Sequence, residues 1–346
     1  MNEFDPNDIG VNNGNIFGFP VTELEAKIVI IPVPWDATAS YKKGTALGPK
    51  SILKASTQLD FFDPYLEHAY TTKVFLAPIS SDWSDINSDL SQKSLDYLSD
   101  LENKGKSVVE EYKELISEIN KASSYMNQNL FERCRDIIQF GKIPAVLGGE
   151  HSVPFGLIKA LDSTYDSFGI LQIDAHADLR DSYEEFKYSH ASIMYNVMKE
   201  CKNLEKLVQL GIRDISQNEI DFIASNQKIK TYFDWDLKKN EFQGMTWEKQ
   251  CVEIIESLPE NIYISFDIDG LTPYLCPSTG TPVPGGLSFS QIEFLFYSIS
   301  KSNKKIIGFD LSEVSPGINE DWDANVGARI LWKLVCLTEI CRKKNE

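Results

Sequence analysis

The chain has 346 residues, 42% of them hydrophobic, and carries 51 acidic against 34 basic side chains for a formal net charge of −17. That length and apolar content suit one large α/β domain with a substantial core, and the charge argues against nucleic acid or an anionic membrane surface, both of which are bound by clustered Lys and Arg. The acidity serves solubility and is compatible with a cationic ligand.

Residues 1–25 read as a loose polar leader, acidic and without the basic and apolar regions of a signal peptide. Residues 26–346 read as one domain. AKIVIIPVPW is a strand-like run ended by prolines, SYKKGTALGP is a small-residue loop, and GPKSILKASTQL opens a helix after Gly48 and Pro49. Around residues 79–128 the texture turns polar and amphipathic, as in KSVVEEYKELISEINKA, which predicts a peripheral helical insertion or hairpin. From about 129 onward helix and strand alternate. LFERCRDIIQFG leads to IPAVLG, VPFGLIKALD to FGILQID, ASIMYNVMKEC to LVQLGI, EIDFIASN to KTYF, WEKQCVEIIESL to IYISFDI, and QIEFLFYSIS to KIIGFDL, before the final VGARILWKLVCLTEICRK. Short continuous apolar strands between helices predict a mostly parallel sheet buried on both faces. The six cysteines, Cys134, Cys201, Cys251, Cys276, Cys336 and Cys341, are scattered without a CxxC pair, so reduced thiols and a cytoplasmic location are expected. No apolar run approaches the roughly 20 residues that span a bilayer.

Polar residues gather at the downstream ends of these strands, the edge where open parallel sheets bind ligands. IPAVLG runs into Gly149-Glu150-His151-Ser152, FGILQI into Asp174-Ala175-His176-Ala177-Asp178, IYISF into Asp267-Ile268-Asp269, and IIGF into Asp310-Leu311-Ser312-Glu313. With side chains two apart on one strand face, Asp174, His176 and Asp178 are expected to converge, as are Asp267 and Asp269. A single aspartate at a strand end is ordinarily a cap or turn residue. Four convergent aspartates repel, however, and call for neutralising cations. Two divalent ions would cancel Asp174, Asp178, Asp267 and Asp269, with His151 and His176 adding neutral nitrogens. The oxygen-rich, thiolate-free set suits Mn²⁺ better than structural Zn²⁺. Shared carboxylates suggest two ions about 3.5–4 Å apart that lower the pKa of a common water.

The motifs GGEHS, DAHAD, SFDIDGLTP with STGTPVPGGL, and SEVSP, in this order, resemble the ureohydrolase family of arginases, agmatinases and formiminoglutamases over about residues 28–340. The resemblance implies the arginase fold, a three-layer α/β/α sandwich, and a binuclear manganese centre, with Ni²⁺ or another divalent ion as the alternative. It implies one ion held by His151, Asp174, Asp178 and Asp267 and the other by Asp174, His176, Asp267 and Asp269, with Asp174 and Asp267 bridging. Asp178 would also orient the attacking water. Glu313 matches the carboxylate that grips the guanidinium, and His190 in YSHAS matches a proton-shuttling histidine, a role suited to a reference pKa of about 6.5. Glu150 stands where many members have Asp, and Thr272 replaces the Asp that often precedes the proline; neither is a ligand position.

DLRDSYEEFKYSHAS is similar to the agmatinase pattern DLRxxYEGxxxSHA, and the residues with which arginases meet the α-amino and α-carboxylate groups are not evident. The expected reaction is agmatine to putrescine and urea. The alternatives are arginine, guanidinobutyrate or guanidine as substrate, then formiminoglutamate, then a non-catalytic metal-binding protein. A single-zinc deacetylase-like hydrolase is disfavoured by the doubled carboxylates of the DID motif. The expected partner is a small cationic guanidino compound, and the resemblance implies a homotrimer or homohexamer.

Overall fold

The computed structural model describes residues 4–317 and 321–344. Among them, strands β1 (Ile28–Val33), β2 (Val74–Leu76), β3 (Ile143–Gly148), β4 (Phe168–Ile173), β5 (Leu204–Ile212), β6 (Ile229–Phe233), β7 (Asn261–Asp267) and β8 (Lys305–Ser312) form one parallel sheet in the order 2-1-3-8-7-4-5-6. The strands are apolar on both faces, and β1 and β4 are buried at every residue, because helices cover both sides. These helices are α1 (Gly48–Ser56), α2 (Ser81–Lys104), α3 (Lys113–Gln139), α4 (Phe155–Asp162), α5 (Ile193–Glu200), α6 (Gln217–Ser225), α7 (Asp234–Phe242), α8 (Trp247–Glu256), α9 (Phe289–Lys301) and α10 (Trp322–Lys344). α10 packs on β8, α1 and α9, while α3 packs on α4 and α4 on α5. The fold is the expected arginase-like α/β/α sandwich.

The strand order places the site. β7 and β8 come last in sequence yet insert between β3 and β4. The four strands that run into the polar motifs are therefore consecutive in space, across about 15 Å at the usual strand spacing. That is the switch region where an open parallel sheet leaves a crevice at its C-terminal edge.

Two expectations change. The leader is not loose over its second half: Ile16, Phe17 and Phe19 are fully or almost fully buried. Phe17 and Phe19 pack on Trp332 at ring distances of 5.0 and 5.9 Å. Asn15 accepts from Leu76 N–H at 2.7 Å and donates to Phe19 carbonyl at 2.9 Å, so it seals the backbone at edge strand β2. A polar count over 25 residues cannot register two aromatic side chains that find a partner in the last helix. The helical texture around 79–128 corresponds to α2 and α3, but α3 runs on through the segment read separately as LFERCRDIIQFG and ends at Gln139. α2 starts on Ser80, whose hydroxyl accepts from Trp83 N–H at 3.3 Å.

Candidate active site

His151 lies just past β3, Asp174, His176 and Asp178 follow β4, Asp267 ends β7, Asp269 sits in the turn after it, and Glu313 directly follows β8. Strand alternation does not bring the DAHAD residues together, because β4 stops at Ile173. Asp174 converges with its neighbours in an irregular segment where Asp178 takes a left-handed backbone, φ 55°. Glu313 does the same at φ 63°. A non-glycine residue there costs on the order of 1–2 kcal/mol, and such strain gathers where a site over-determines the backbone.

The convergence is close. His151 Nδ1 stands 3.0 Å from Asp174 Oδ2, 2.9 Å from Asp178 Oδ2 and 3.4 Å from Asp267 Oδ2. His176 Nδ1 stands 3.1 Å from Asp269 Oδ2 and 3.7 Å from Asp174 Oδ1. His151, Asp174 and Asp267 thus form one donor group, and Asp174, His176 and Asp269 a second. Asp174 turns one oxygen toward each, which is the arrangement of a bridging carboxylate. The residues fit a pair of cations on a further ground. His151 Nδ1 is buried and makes no hydrogen bond with correct geometry, although three carboxylate oxygens surround it. Ligand atoms of His151, Asp174 and Asp267 lie within 4.8 Å of one another, close enough to share one ion.

Crowding also appears in the ionisation of the carboxyls. Burial and the neighbouring Asp174 charge push Asp178 up to about 7. Burial, with Asp269 and Asp174 adding repulsion, pushes Asp267 well above the carboxylate range. Groups shifted this way have too little positive charge around them, and bound cations would reverse the shift.

The cluster forms the floor of a cleft of about 160 Å³ whose walls include Ser40, Tyr183, His190 and Glu313. Glu313 is 7% exposed. Its Oε1 accepts from His151 N–H at 2.7 Å, its own N–H donates to Gly149 carbonyl at 2.8 Å, and Thr279 donates to its carbonyl at 2.8 Å. Burial and the charge of Glu150 push its carboxyl well above the usual range, so a cation entering the cleft meets a group that gains from its arrival. His190 Nε2 lies 3.4 Å from Ser40 Oγ, and Nδ1 has no partner. Burial, with repulsion from His176 and Lys43, holds its imidazole down at about 3. The midpoint near neutrality expected of a free imidazole is therefore displaced, and His190 faces the cleft as a neutral ring that resists protonation while burial and the neighbouring positive charges act on it.

A family model of the arginase family matches residues 26–336. The chain belongs to the arginase family. It is 30% identical to the N(1)-aminopropylagmatine ureohydrolase of Thermus thermophilus over 292 residues, 84% of each chain. It is 29% identical to the agmatinase of Bacillus anthracis over 296 residues, again 84% of each. In structure it superposes on the agmatine ureohydrolase of Thermoplasma volcanium with a TM-score of 0.73, at 24% identity and 96% of both chains, which confirms the fold. As an arginase-family protein it is an amidinohydrolase, acting on the C–N bond of a linear amidine. Enzymes of this family usually carry two metal ions, in agreement with the two donor groups.

Around these residues the arginase-family chain builds supports that sequence reasoning passed over. His151 Nε2 is 2.8 Å from Ser265 Oγ, and buried Asp310 lies beyond it, accepting from Tyr263 hydroxyl and from Ser312 Oγ at 3.1 Å. A hydrogen bond at Nε2 fixes the ring so that Nδ1 faces the carboxylates. Ser265 was legible as a strand residue two before Asp267, but nothing local signals its partner. Glu150 is no ligand: it is fully buried, accepting from Thr38 hydroxyl and Ser152 hydroxyl, both at 2.6 Å, and so ties the β3 loop to the 36–40 loop. Arg213 donates to the carbonyls of Asp269, Leu271 and Val283 at 2.6, 3.1 and 3.0 Å, bracing the turn that carries Asp269. Thr272 lies outside the cluster.

Proposed function

We propose that this chain hydrolyses agmatine to putrescine and urea with a binuclear centre, Mn²⁺ being the ion best suited to a donor set of four carboxylates and two imidazoles. The observation that carries the reading is Glu313, a buried carboxylate in left-handed backbone on the wall of the same cleft that is lined by His151, His176, Asp178, Asp267 and Asp269. Names of relatives add support: the agmatinase and the N(1)-aminopropylagmatine ureohydrolase both take their names from compounds with a guanidinium at one end and an amine at the other.

His151, Asp174, Asp178 and Asp267 would hold one ion and Asp174, His176, Asp267 and Asp269 the other. When bound, the pair supplies charge that lowers the pKa of water at the site to near neutrality. Glu313 holds the planar guanidinium by charge-assisted hydrogen bonds and orients its carbon toward the cluster. Asp178 accepts a proton from the attacking water. The oxygen adds to the guanidinium carbon, the bond from that carbon to the alkyl-bearing nitrogen breaks as that nitrogen takes up a proton from Asp178 or through His190, and the proton left on the oxygen passes to the departing amine. Urea and the amine leave. Cys134, Cys201, Cys251, Cys276 and Cys336 are buried thiols outside any disulfide, which supports a reducing, cytoplasmic setting. No helix among the described residues is long and apolar enough to cross a membrane.

N(1)-aminopropylagmatine is the second reading, because the relative named for it matches as well as the agmatinase does. The test is urea release by manganese-loaded protein from agmatine, N(1)-aminopropylagmatine, arginine, guanidinobutyrate, guanidine and formiminoglutamate. Agmatine is expected to have the highest kcat/KM. Urea from none of them would overturn the reading, and preference for an acidic guanidino compound would overturn the substrate.

A further inference from the structure

One wall of the cleft rests on a turn that its own residues disfavour. Tyr183 and Phe186 pair by mutual backbone hydrogen bonds of 3.2 and 2.9 Å, and the two residues between them, Glu184 and Glu185, have φ of 53° and 66°. Two left-handed residues in a two-residue hairpin make the type I′ turn, for which Asn-Gly is the usual pair. A glutamate lacks both the freedom of glycine and the short side chain that lets asparagine bond its own backbone.

The two helices before β3 supply what the turn lacks. From α2, Tyr97 donates its hydroxyl to Glu184 carbonyl at 3.2 Å and sets its ring edge-on to Phe186 at 5.8 Å. From α3, Asn120 donates to Glu185 carbonyl at 3.1 Å and accepts from Lys187 N–H at 2.8 Å. Asn120 therefore engages the backbone on both sides of Phe186, as a neighbouring strand would. Tyr183, at the start of the turn, lines the cleft and stands edge-on to His190 at 5.8 Å, with the Arg180 guanidinium over its ring at 4.6 Å.

We infer that the α2–α3 pair is a clamp that holds this strained turn, and that Tyr97 and Asn120 are positioning residues which, through Tyr183, fix the wall of the cleft for the hydrolysis proposed above. Without them the turn relaxes toward negative φ, the Tyr183–Phe186 pairing opens, and the wall moves.

The test uses the full chain. Asn120→Ala removes both side-chain bonds, and Tyr97→Phe removes one. In Asn120→Ala, amide hydrogen exchange at Phe186, whose own partner is Tyr183, is expected to quicken about tenfold, with β4 and β7 unchanged. KM should rise about 3–10-fold while kcat stays within about twofold, because a wall residue acts on substrate placement. Tyr97→Phe should move both readouts the same way by less. Adding Glu185→Gly to Asn120→Ala should restore Phe186 protection and KM to within about twofold, since glycine takes positive φ without strain. Unchanged exchange at Phe186 in Asn120→Ala, a loss of protection spread equally over β4 and β7, or no rescue by Glu185→Gly would each overturn the clamp. Exchange needs no substrate, so failure to release urea from any guanidino compound would remove the proposed function while the clamp is still judged on exchange alone.

Discussion

Replacing Glu313 by glutamine or by aspartate separates two jobs of one side chain. The glutamine keeps an oxygen where Oε1 accepts from His151 N–H at 2.7 Å, but it loses the negative charge. A hydrogen bond to a charged group contributes about 1.5–3 kcal/mol. Loss of two such bonds to a guanidinium removes about 3–6 kcal/mol, or about 160- to 26,000-fold in kcat/KM at about 1.36 kcal/mol per tenfold. Metal content should stay near that of the parent, because the backbone of His151 is still held. The aspartate keeps the charge but draws the carboxyl back by about one carbon–carbon bond, roughly 1.5 Å. It thereby leaves His151 N–H buried without a partner, at a cost of about 1–3 kcal/mol. Activity should again fall, by about 100-fold or more for a misplacement of that size, and here bound metal should fall too. The assay is urea release beside elemental analysis of the same samples. Near-normal turnover by Glu313→Gln would show that this carboxylate does not hold the guanidinium. Full metal retention by Glu313→Asp would show that the bond to His151 does not matter.

Ser265→Ala removes the partner of His151 Nε2, and metal affinity measured by competition with a chelator should weaken about 10–100-fold; unchanged affinity would mean that packing alone orients the ring. His190→Asn should lower kcat about 100-fold, at the lower end for general acid–base catalysis, with KM changed far less, and steady-state kinetics in which KM alone moves would remove its role in proton transfer. Burial pushes the Glu184 carboxyl up to about 7, and its Oε2 has no partner. The folded state therefore binds that proton more tightly than the unfolded chain, so the contribution to stability is full below about pH 4.5 and is lost as pH rises through about 7. Glu184→Gln should then melt higher than the parent at pH 8 and show a smaller difference at pH 5; equal differences at both would refute the argument.

Much of this protein is legible along the chain. The alternation of apolar strands with helices dictates a parallel sheet covered on both faces, because a strand apolar on both sides needs two layers over it. The motifs after IPAVLG, FGILQI, IYISF and IIGF mark its functional edge, since polar groups that end such strands face the crevice. What the tertiary structure alone decided is how those ends meet. β7 and β8 insert between β3 and β4, so His151 comes within 3.0 Å of Asp174 and 3.4 Å of Asp267 through a strand order that no local pattern encodes. The left-handed backbones of Glu184, Glu185 and Glu313 were equally hidden, because the propensity of Glu points elsewhere and only surrounding contacts impose that conformation. The burial of Phe17 and Phe19 against Trp332, and the hold of Tyr97 and Asn120 on the Tyr183 turn, join segments distant in sequence. A sequence displays what each residue prefers beside its neighbours, whereas these contacts depend on which surfaces the finished sheet leaves open to be covered.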